Sequence, residues 1–579
     1  MADSNKTITH QVTVLVVGGG PVGLITAWGL ARRGVHCMLA ERNMTTTKAP
    51  KMDITNCRSM ELLRSMGLAD DLRKQGVSQD ISFDVLFSSG LGEKGEKIAR
   101  WNLPSPNIWR EMIKGKNDGT MPREPYQRCS QAVFEAWLKP FIDAHPSVES
   151  HFGLKFESLE EDDEGVTSHL VDVTTGQIHV VKSTYVVGCD GAGSRVRRSI
   201  GIDLTGGPVP NKMYLVHFKS RDLTRLHRQG QFWHIFFATG AILISQNEVD
   251  AWTAHLPMPL EENTESINPY EIVSQVLGGI EGQFNINIDE ILLHNTWRPT
   301  LAVANSYRTE KGRVFLAGDS AHQNVPIGGY GMNTGLGDAF DIAWKLSAVL
   351  NGYGGEDLLA SYEIERRPVG LRNVERSRVH ASVHEGWARI AAERGQDVLL
   401  SDTDESRKVK QDIANFVNTN DGENKDHGIE MGYSFPDSPV VVTEVRTAQE
   451  KEPEWSPRHY MPSTKPGSRA PHVYLQDGKT SILDLYGMDY TVVDFTLDGE
   501  ISKVFEDTAQ KLSVPIQRVH LPDEPHVASI WQKSVVLVRP DGFVAWRSDD
   551  RPGQVSVTAQ LAEDIISRTV GRHNVRCRQ

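Results

Sequence analysis

The feature that most constrains this chain lies near its N-terminus, where a continuous apolar run meets a cluster of glycines. Residues 12–17 read VTVLVV, and the following GGGPVG contains Gly18, Gly20 and Gly23. A continuous apolar run is typical of a parallel strand that is covered on both faces. Proline suits the first turn of a helix, so the pattern predicts a strand, a tight turn and a helix over 21–33.

The glycines and the acid that closes the next strand predict a dinucleotide site. A second strand is predicted at 35–40, and Glu41 follows it, 23 residues after Gly18. Glycines let a backbone turn approach a pyrophosphate at a helix N-terminus, and an acid at this spacing accepts hydrogen bonds from ribose hydroxyls. The alternative is a strand–helix packing turn that holds no ligand. The motif alone does not distinguish FAD from NAD.

Composition excludes several classes of partner. The 579-residue chain is long enough for several domains, and its formal net charge of −13 argues against nucleic acid and anionic membrane surfaces. The apolar stretch 12–31 is long enough to span a membrane, but its central glycines and proline favour a strand, a turn and a helix. Five widely spaced cysteines form no CxxC pair, which disfavours a disulfide framework or a zinc site and indicates a cytoplasmic protein.

The pattern along the chain divides it into three parts. The first, 1–400, contains the βαβ unit and is interrupted mainly at 80–125 and 205–300, where alternating aromatic-rich strands predict an antiparallel sheet. The polar residues 401–467 are interpreted as connecting segments. Short strands and helices over 468–579 predict a separate α/β domain.

Two later turns repeat the polar, glycine-rich pattern after a predicted strand. Residues 188–197 read GCDGAGSRVR, and residues 313–322 read RVFLAGDSAH. An aspartate at such a turn, here Asp190 or Asp319, can hold a sugar or ribityl hydroxyl while neighbouring N–H groups face phosphate. Each turn alone is more often a structural Asx turn. The three motifs in this order indicate a bound dinucleotide cofactor far more specifically than any one of them alone.

With these motifs the sequence resembles the single-component, FAD-dependent aromatic hydroxylases, the group A flavoprotein monooxygenases. It is most similar to the branch of phenol hydroxylase and dichlorophenol hydroxylase. The resemblance rests on the GxGxxG motif, on CDGAGSRVR, on GDSAHQNVPIGGYGMNTGLGDAFDIAWKL, on 49–68 and on the C-terminal PGSRAPHVYL and LVRPDGFVAWR. Only 401–455 lacks a clear counterpart. The resemblance implies an α/β, Rossmann-like FAD-binding domain, an inserted substrate domain like that of p-hydroxybenzoate hydroxylase, and a C-terminal thioredoxin-like domain.

The resemblance also implies which residues contact FAD. Backbone N–H groups at 331–333 would lie near the flavin N1–C2=O edge, where a helix N-terminus stabilises the negative charge of the reduced ring. For Arg58 the alternative is a solvated helix residue, and for Gln131 a helix start. The implied cofactor contacts are Gly18, Gly20, Gly23, Glu41, Arg42, Arg58, Gln131, Asp190, Gly318, Asp319, Gly331, Met332 and Asn333.

Two residues are implied to act at the reacting centre. Asp53 aligns with an aspartate that yeast-type phenol hydroxylases place near the substrate hydroxyl, where a carboxylate could take the phenol proton. The alternative is an Asx turn, and the dichlorophenol branch has a different residue here. Pro326 would lie beside the reactive edge of the flavin.

Trp233 and Phe236, with His234 and Trp297, could line an aromatic substrate pocket, or they could be ordinary sheet residues.

The predicted function is hydroxylation of a small phenolic or related aromatic compound with O2, through a C4a-hydroperoxyflavin. No second GxGxxG is present, so NADPH or NADH is expected to bind transiently as electron donor. The C-terminal part lacks a CxxC, which makes it redox-inert and leaves packing or homodimer contacts as its role. The alternatives are epoxidation, dearomatisation or ring rearrangement of a larger natural product, and a non-catalytic flavin-binding scaffold.

Overall fold

Strands and helices alternate in a computed structural model that describes residues 7–444, 455–549 and 557–572. The strands are β1 (Ile8–Val17), β2 (Cys37–Glu41), β3 (Ile54–Thr55), β4 (Val85–Ser88), β5 (Lys97–Trp101), β6 (Gln127–Arg128), β7 (Val148–Phe152), β8 (Leu154–Glu161), β9 (Val166–Asp172), β10 (Ile178–Gly188), β11 (Leu204–Pro208), β12 (Lys212–Lys219), β13 (His234–Phe237), β14 (Ile242–Ser245), β15 (Ala251–Met258), β16 (Glu290–Trp297), β17 (Thr300–Ala304), β18 (Val314–Leu316), β19 (His322–Gln323), β20 (Tyr490–Asp494), β21 (Ile516–His520), β22 (Val535–Val538) and β23 (Val544–Arg547). The helices are α1 (Pro21–Ala31), α2 (Cys57–Ser65), α3 (Ala69–Gln75), α4 (Pro106–Lys116), α5 (Gln131–Asp143), α6 (Arg195–Ser199), α7 (Leu223–Leu226), α8 (Pro269–Gly278), α9 (Tyr330–Leu350), α10 (Glu356–Glu393), α11 (Asp404–Thr419), α12 (His427–Glu430), α13 (Glu500–Leu512), α14 (Pro525–Trp531) and α15 (Ala559–Thr569). The α/β fold class predicted from the sequence is confirmed.

The N-terminal motif forms the predicted βαβ unit inside a seven-stranded sheet of the first part. β7, β2, β1 and β10 lie side by side and are parallel, and β18 joins the second half of β10 in the same direction. β9 and β8 extend the first half of β10 as antiparallel strands. Because the carboxyl ends of parallel strands share one edge, the turns that follow β1, β10 and β18 meet there.

Helices α1 and α9 pack on each other against this sheet. A Cβ atom on Gly29 of α1 would lie only 2.7 Å from the Cβ of Ala343 in α9, so the two backbones approach closely. All but a few residues of the 21-residue α9 are buried. The N-terminus of α9 is therefore held at the same edge of the sheet as the N-terminus of α1.

A second sheet combines segments that are far apart in the sequence. Its strand order is β16, β12, β15, β14, β13, β4 and β5, and its pairs are antiparallel except for β13 with β4. Strands β4 and β5 come from a region whose mixed composition hides them in the sequence. Both are short, and every residue of β4 is buried because the sheet is covered on both faces there.

Residues 401–467 contain more regular structure than their polar composition indicates. The helix α11 packs against α10 and β5. Its buried apolar residues, Val409, Ile413 and Val417, recur every four positions and form a narrow stripe. A stripe of three apolar residues in a charged segment does not stand out in the sequence, which explains the difference from the expected connecting segment.

The C-terminal strands form a four-stranded sheet in the order β21, β20, β22 and β23. It shares an apolar core with the first part of the chain, where Tyr490 of β20 packs edge-on against Trp344 of α9. The thioredoxin-like assignment stays a prediction.

The four cysteines within the described ranges are buried and free, and Cys577 lies outside those ranges. Within the same ranges, no helix has the length and apolar character needed to cross a bilayer.

Candidate active site

The first glycine turn is closed so tightly that side chains are excluded from it. Gly18 adopts a φ of 111°, and a Cβ atom there would lie 2.3 Å from the carbonyl oxygen of Cys189. A Cβ atom on Gly23 would lie 1.8 Å from the carbonyl oxygen of Gly18. Only glycine avoids both clashes, so the backbone of β1 reaches the first turn of α1 without an intervening side chain.

Glu41 stands at the end of β2, as predicted, and its carboxylate faces the glycine turn. Oε2 accepts a hydrogen bond from the N–H of Gly19 at 2.7 Å, and Oε1 accepts one from the N–H of Asn43 at 2.8 Å. These bonds fix the orientation of the carboxylate. A negatively charged acceptor is thereby held at the rim of the turn, where a ribose would lie.

Several predicted cofactor contacts line one open cleft beside this turn. The cleft has a volume of about 460 Å³. Lys51 and Arg195 also line it and supply positive charge suited to a pyrophosphate. Both lie in segments whose similarity to the hydroxylases was noted in the sequence, although neither was singled out there. The predicted residues that the structure brings together at the cleft are Gly18, Gly20, Glu41, Arg42, Gln131 and Asp190.

Two of these cleft residues also have local structural roles. The carboxylate of Asp190 accepts hydrogen bonds from the N–H groups of Arg195 (2.7 Å) and Val196 (3.1 Å), the first two residues of α6. Gln131 begins α5 and donates to Glu135 through its side-chain amide at 2.7 Å. The structural alternatives therefore hold for both residues, and neither role prevents contact with a ligand in the cleft.

The second glycine-rich motif lies directly against the first. A Cβ atom on Gly318 would be 2.8 Å from Val22 in the first turn of α1. The N–H of Gly318 donates to the buried carboxylate of Asp338 at 3.1 Å, which orients the turn. The carboxylate of Asp319 is exposed at this turn and has no hydrogen-bond partner among the described residues. A free acceptor beside the cleft fits the hydroxyl groups of a ribityl chain.

The segment after this turn, which we call the elbow (residues 326–333), ends in the N-terminus of α9. Gly329 precedes the helix with a φ of 69°, and no side chain caps the first turn. Pro326 is exposed, Gly331 is partly exposed, and Met332 is buried. The uncapped N–H groups and the helix dipole give this end of α9 a partial positive charge.

Asn333 clamps the elbow to the strand β3. Its side-chain oxygen accepts from the N–H of Asn56 at 2.9 Å. Its side-chain nitrogen donates to the carbonyl oxygens of Ile54 at 3.0 Å and Gly329 at 2.7 Å. The side chain is thus fully used by the protein, and its role in the site is to position the backbone of the elbow.

Asp53, next in sequence to the clamped Ile54, is buried in a charged network. Its Oδ2 accepts hydrogen bonds from the indole of Trp233 at 2.7 Å and from Arg128 at 3.2 Å. Arg128 also pairs with Glu248. Burial raises the pKa of the Asp53 carboxyl above its ordinary value, while Arg128 and the bond from Trp233 act in the opposite direction. Sequence reasoning missed Arg128 and Glu248 because the network joins three distant segments.

Phe236 is connected to the elbow by a second route. Its ring stacks on His384 of α10 with 3.9 Å between centroids. His384 binds Oε2 of Glu423 at 2.7 Å, and Oε1 of Glu423 accepts from the N–H of Gly328 at 3.1 Å. Trp233 and Phe236 therefore both face elements that contact the elbow. Trp297 lies on β16, at the opposite edge of the sheet.

Arg58 is not directed into the cleft. It is buried on α2, and its guanidinium donates to the carbonyl oxygen of Asp541 and to Glu61. The ring of Phe543 lies 5.3 Å from the guanidinium carbon. Arg58 thus joins α2 to the C-terminal sheet, which gives it a structural role that neither the family resemblance nor the solvated alternative describes.

The comparisons with known proteins identify the family to which the chain belongs. Residues 11–377 match the family model described as FAD binding domain, and residues 463–572 match the one described as aromatic-ring hydroxylase, C-terminal. The chain therefore belongs to the FAD-dependent aromatic-ring hydroxylases, the family indicated by the glycine motifs. The tight glycine turn, the free carboxylate of Asp319 and the uncapped α9 fit FAD as the bound cofactor.

Individual relatives narrow the class to an FAD-dependent monooxygenase. FAD-dependent monooxygenase apdD of Emericella nidulans is 44% identical over 96% of this chain and 90% of its own length. A 2,4-dichlorophenol 6-monooxygenase of Cupriavidus pinatubonensis is 28% identical over 98% of both chains. The rebeccamycin biosynthetic enzyme RebC, solved with reduced flavin, superimposes with a TM-score of 0.79 at 28% identity over 98% of this chain and 100% of its own. This chain is accordingly an enzyme of that class and binds FAD.

Proposed function

We propose that this monooxygenase uses NADPH or NADH to hydroxylate a phenolic or related aromatic compound. The observation that carries the proposal is the connection between Asp53 and the elbow. The clamp by Asn333 on Ile54 holds a buried carboxylate next to the segment that would contact the flavin. The same carboxylate binds Trp233 of the second sheet, so aromatic surface lies beside the proton acceptor.

The residues of the chain then have distinct roles. The cleft at Gly18 and Glu41 binds the dinucleotide, and the positive end of α9 orients the flavin and stabilises negative charge on it. Bound FAD supplies the redox chemistry that transfers one oxygen atom of O2 to the substrate. Pro326 lies beside the reactive edge of the bound ring in this proposal. Asp53 takes the proton of the substrate hydroxyl, which makes the aromatic ring a better nucleophile.

A larger natural product is the second candidate substrate. The likeness to RebC, described as a rebeccamycin biosynthetic enzyme, covers nearly all of both chains and supports this alternative. The likeness to a dichlorophenol monooxygenase supports the simple phenol. Epoxidation or ring rearrangement belongs to the same alternative.

Membership among FAD-dependent monooxygenases argues against a non-catalytic scaffold. A homodimer and a cytoplasmic location stay predictions.

The test is NADPH and NADH oxidation by the purified holoenzyme, with and without a panel of aromatic compounds, while bound flavin is followed by its visible absorbance. We expect one class of phenol to accelerate oxidation sharply and to gain one oxygen atom from labelled O2. Acceleration only by polycyclic natural products would favour the second candidate. A flavin that is reduced and reoxidised with no compound gaining oxygen would contradict both.

A further inference from the structure

An aromatic cluster lies where the second sheet meets α10, close to the elbow. The ring of Phe87 is 5.8 Å from that of Phe236 and 4.7 Å from that of Trp101, measured between centroids. Trp387 of α10 closes the cluster at 5.6 Å from Phe87. His384 is in contact with this aromatic cluster, stacked on Phe236. These four rings are buried and pack on one another, so a substrate ring that reaches His384 would meet an apolar, aromatic wall.

His384 is held in a fixed orientation by Glu423. A carboxylate only accepts hydrogen bonds, so the 2.7 Å contact places the proton of the imidazole on Nε2. Glu423 is itself anchored by the N–H of Gly328.

The other nitrogen of His384 is left without a partner. Its Nδ1 is buried and makes no hydrogen bond with any described residue, although 13% of the side chain is exposed. Nδ1 of the neighbouring His234 is also buried and unpartnered. Buried polar atoms are nearly always satisfied in folded proteins, so Nδ1 of His384 requires a partner that the described residues do not supply, such as a ligand or a water. With its proton on Nε2, the ring of His384 offers a lone pair at Nδ1.

We propose that His384, oriented by Glu423, is a specificity-determining residue that accepts a hydrogen bond from a second polar group of the substrate. The inference rests on the proposed function. It narrows the substrate class to aromatic rings that carry, besides the hydroxyl served by Asp53, a further hydroxyl or ring N–H. A simple monohydroxyphenol would leave Nδ1 unpaired, which weakens its binding relative to a ring with a second donor.

The test compares matched substrates in the holoenzyme. Each pair consists of a monohydroxylated ring and the same ring with a second hydroxyl or an N–H, and Kd is measured from the change in flavin absorbance. His384→Phe keeps the stacking on Phe236 and removes both nitrogens. Glu423→Gln keeps the shape of the side chain that orients His384 but removes its charge. This variant tests the inference if His384→Phe fails to bind flavin. His294→Phe is the control, because His294 lies on the same sheet with Tyr214 as its partner.

We expect the wild type to prefer the compound with the second donor by about ten-fold in Kd and KM, the effect of one hydrogen bond. His384→Phe should remove this preference, so that the two compounds of each pair bind with the same Kd. Glu423→Gln should reduce the preference, and His294→Phe should keep it. A preference that is absent in the wild type or retained in His384→Phe overturns the inference alone. A wild type that oxygenates neither compound refutes the proposed function, and the inference with it.

Discussion

At the scale of single residues, the proposed chemistry depends on one buried carboxylate. Asp53 shares its Oδ2 between Arg128 and Trp233, and its Oδ1 has no hydrogen-bond partner among the described residues. The raised pKa of Asp53, which burial causes, brings the carboxyl closer to the pH at which a general base is most effective. Arg128 and the hydrogen bond from Trp233 act against this rise in the pKa.

The substitution Asp53→Asn tests the role of this carboxylate. An amide keeps the shape and can still accept from Trp233, but it cannot take a proton. We expect FAD binding to be intact and hydroxylation of a neutral phenol to slow by about 100-fold or more, the usual contribution of a general base. The loss should be smallest for substrates that are already ionised as phenolates. Single-turnover hydroxylation rates across pH are the measurement, and unchanged rates at every pH would end the assignment.

At the scale of elements, the site is built where two helices begin. Helices α1 and α9 present their N-termini to the same edge of the parallel sheet, and each follows a glycine-rich turn. The turn before α1 is stabilised by its own backbone and by Glu41. The turn before α9 depends on the side chain of Asn333, which connects it to β3.

Asn333→Ala should therefore loosen the elbow without removing a cofactor contact of its own side chain. Three hydrogen bonds are lost and buried backbone groups are left unpaired, so we expect the free energy of unfolding to fall by about 2–4 kcal/mol. The affinity for FAD should fall as well. Asn333→Asp, which still accepts from Asn56 but sets a buried carboxylate oxygen against the carbonyl oxygens of Ile54 and Gly329, should lose at least as much stability as alanine. Urea unfolding and FAD titration are the measurements.

The control for this series is Asn351→Ala at the other end of α9. Its amide donates to the carbonyl oxygen of Arg33 at 3.0 Å in an exposed position. Loss of this bond should leave FAD affinity at the wild-type level. Equal loss of FAD affinity at positions 333 and 351 would contradict the clamp, because it would then reflect general destabilisation of the helix.

At the scale of the whole molecule, a buried charge network joins the C-terminal sheet to the first part of the chain. The carboxylate of Glu365 on α10 binds Lys345 of α9 at 2.6 Å and Arg539 at 2.6 and 2.7 Å. Ser438 donates to the same carboxylate at 2.5 Å, and Asp541 pairs with Arg539 at 2.6 Å. Glu365 thus connects three parts of the chain, which fits packing as the role of the C-terminal part.

Glu365→Gln should destabilise the molecule strongly, because it leaves two buried cations short of a partner. We expect a loss of about 3–5 kcal/mol in the free energy of unfolding, the usual effect of breaking a buried pair. Glu375→Gln is the control on the same helix, since its pair with Arg378 is exposed. Chemical unfolding at neutral pH measures both, and similar small effects would contradict the structural role of the network.

The same residue predicts a specific pH dependence. Burial would raise the pKa of Glu365, but Arg539 and Lys345 lower it from 4.5 to about 2. A carboxyl with a lowered pKa in the folded state stabilises the protein fully above its unfolded pKa and loses that contribution as the pH falls. The difference in stability between wild type and Glu365→Gln should therefore shrink between pH 4.5 and 2. Parallel curves over this range would contradict the assignment.

Local sequence predicted the βαβ unit and the three glycine motifs, and the resemblance that these motifs carry predicted the family and the cofactor. The βαβ unit and the glycine motifs depend on backbone geometry within short segments, so the roles of Gly18, Glu41 and Gly318 could be predicted from the residues around them. Composition also predicted the aromatic strands around Phe236, although not the short β4 and β5 that complete their sheet.

The tertiary structure alone decided how distant side chains are used. It directs Arg58 to the C-terminal sheet, pairs Asp53 with Arg128, and places Glu423, from a segment with no distinctive pattern, between His384 and the elbow. Each of these contacts joins residues separated by dozens to hundreds of positions. Their energies arise from burial and from the exclusion of water, which exist only after the elements have packed, so no local pattern in the sequence encodes them.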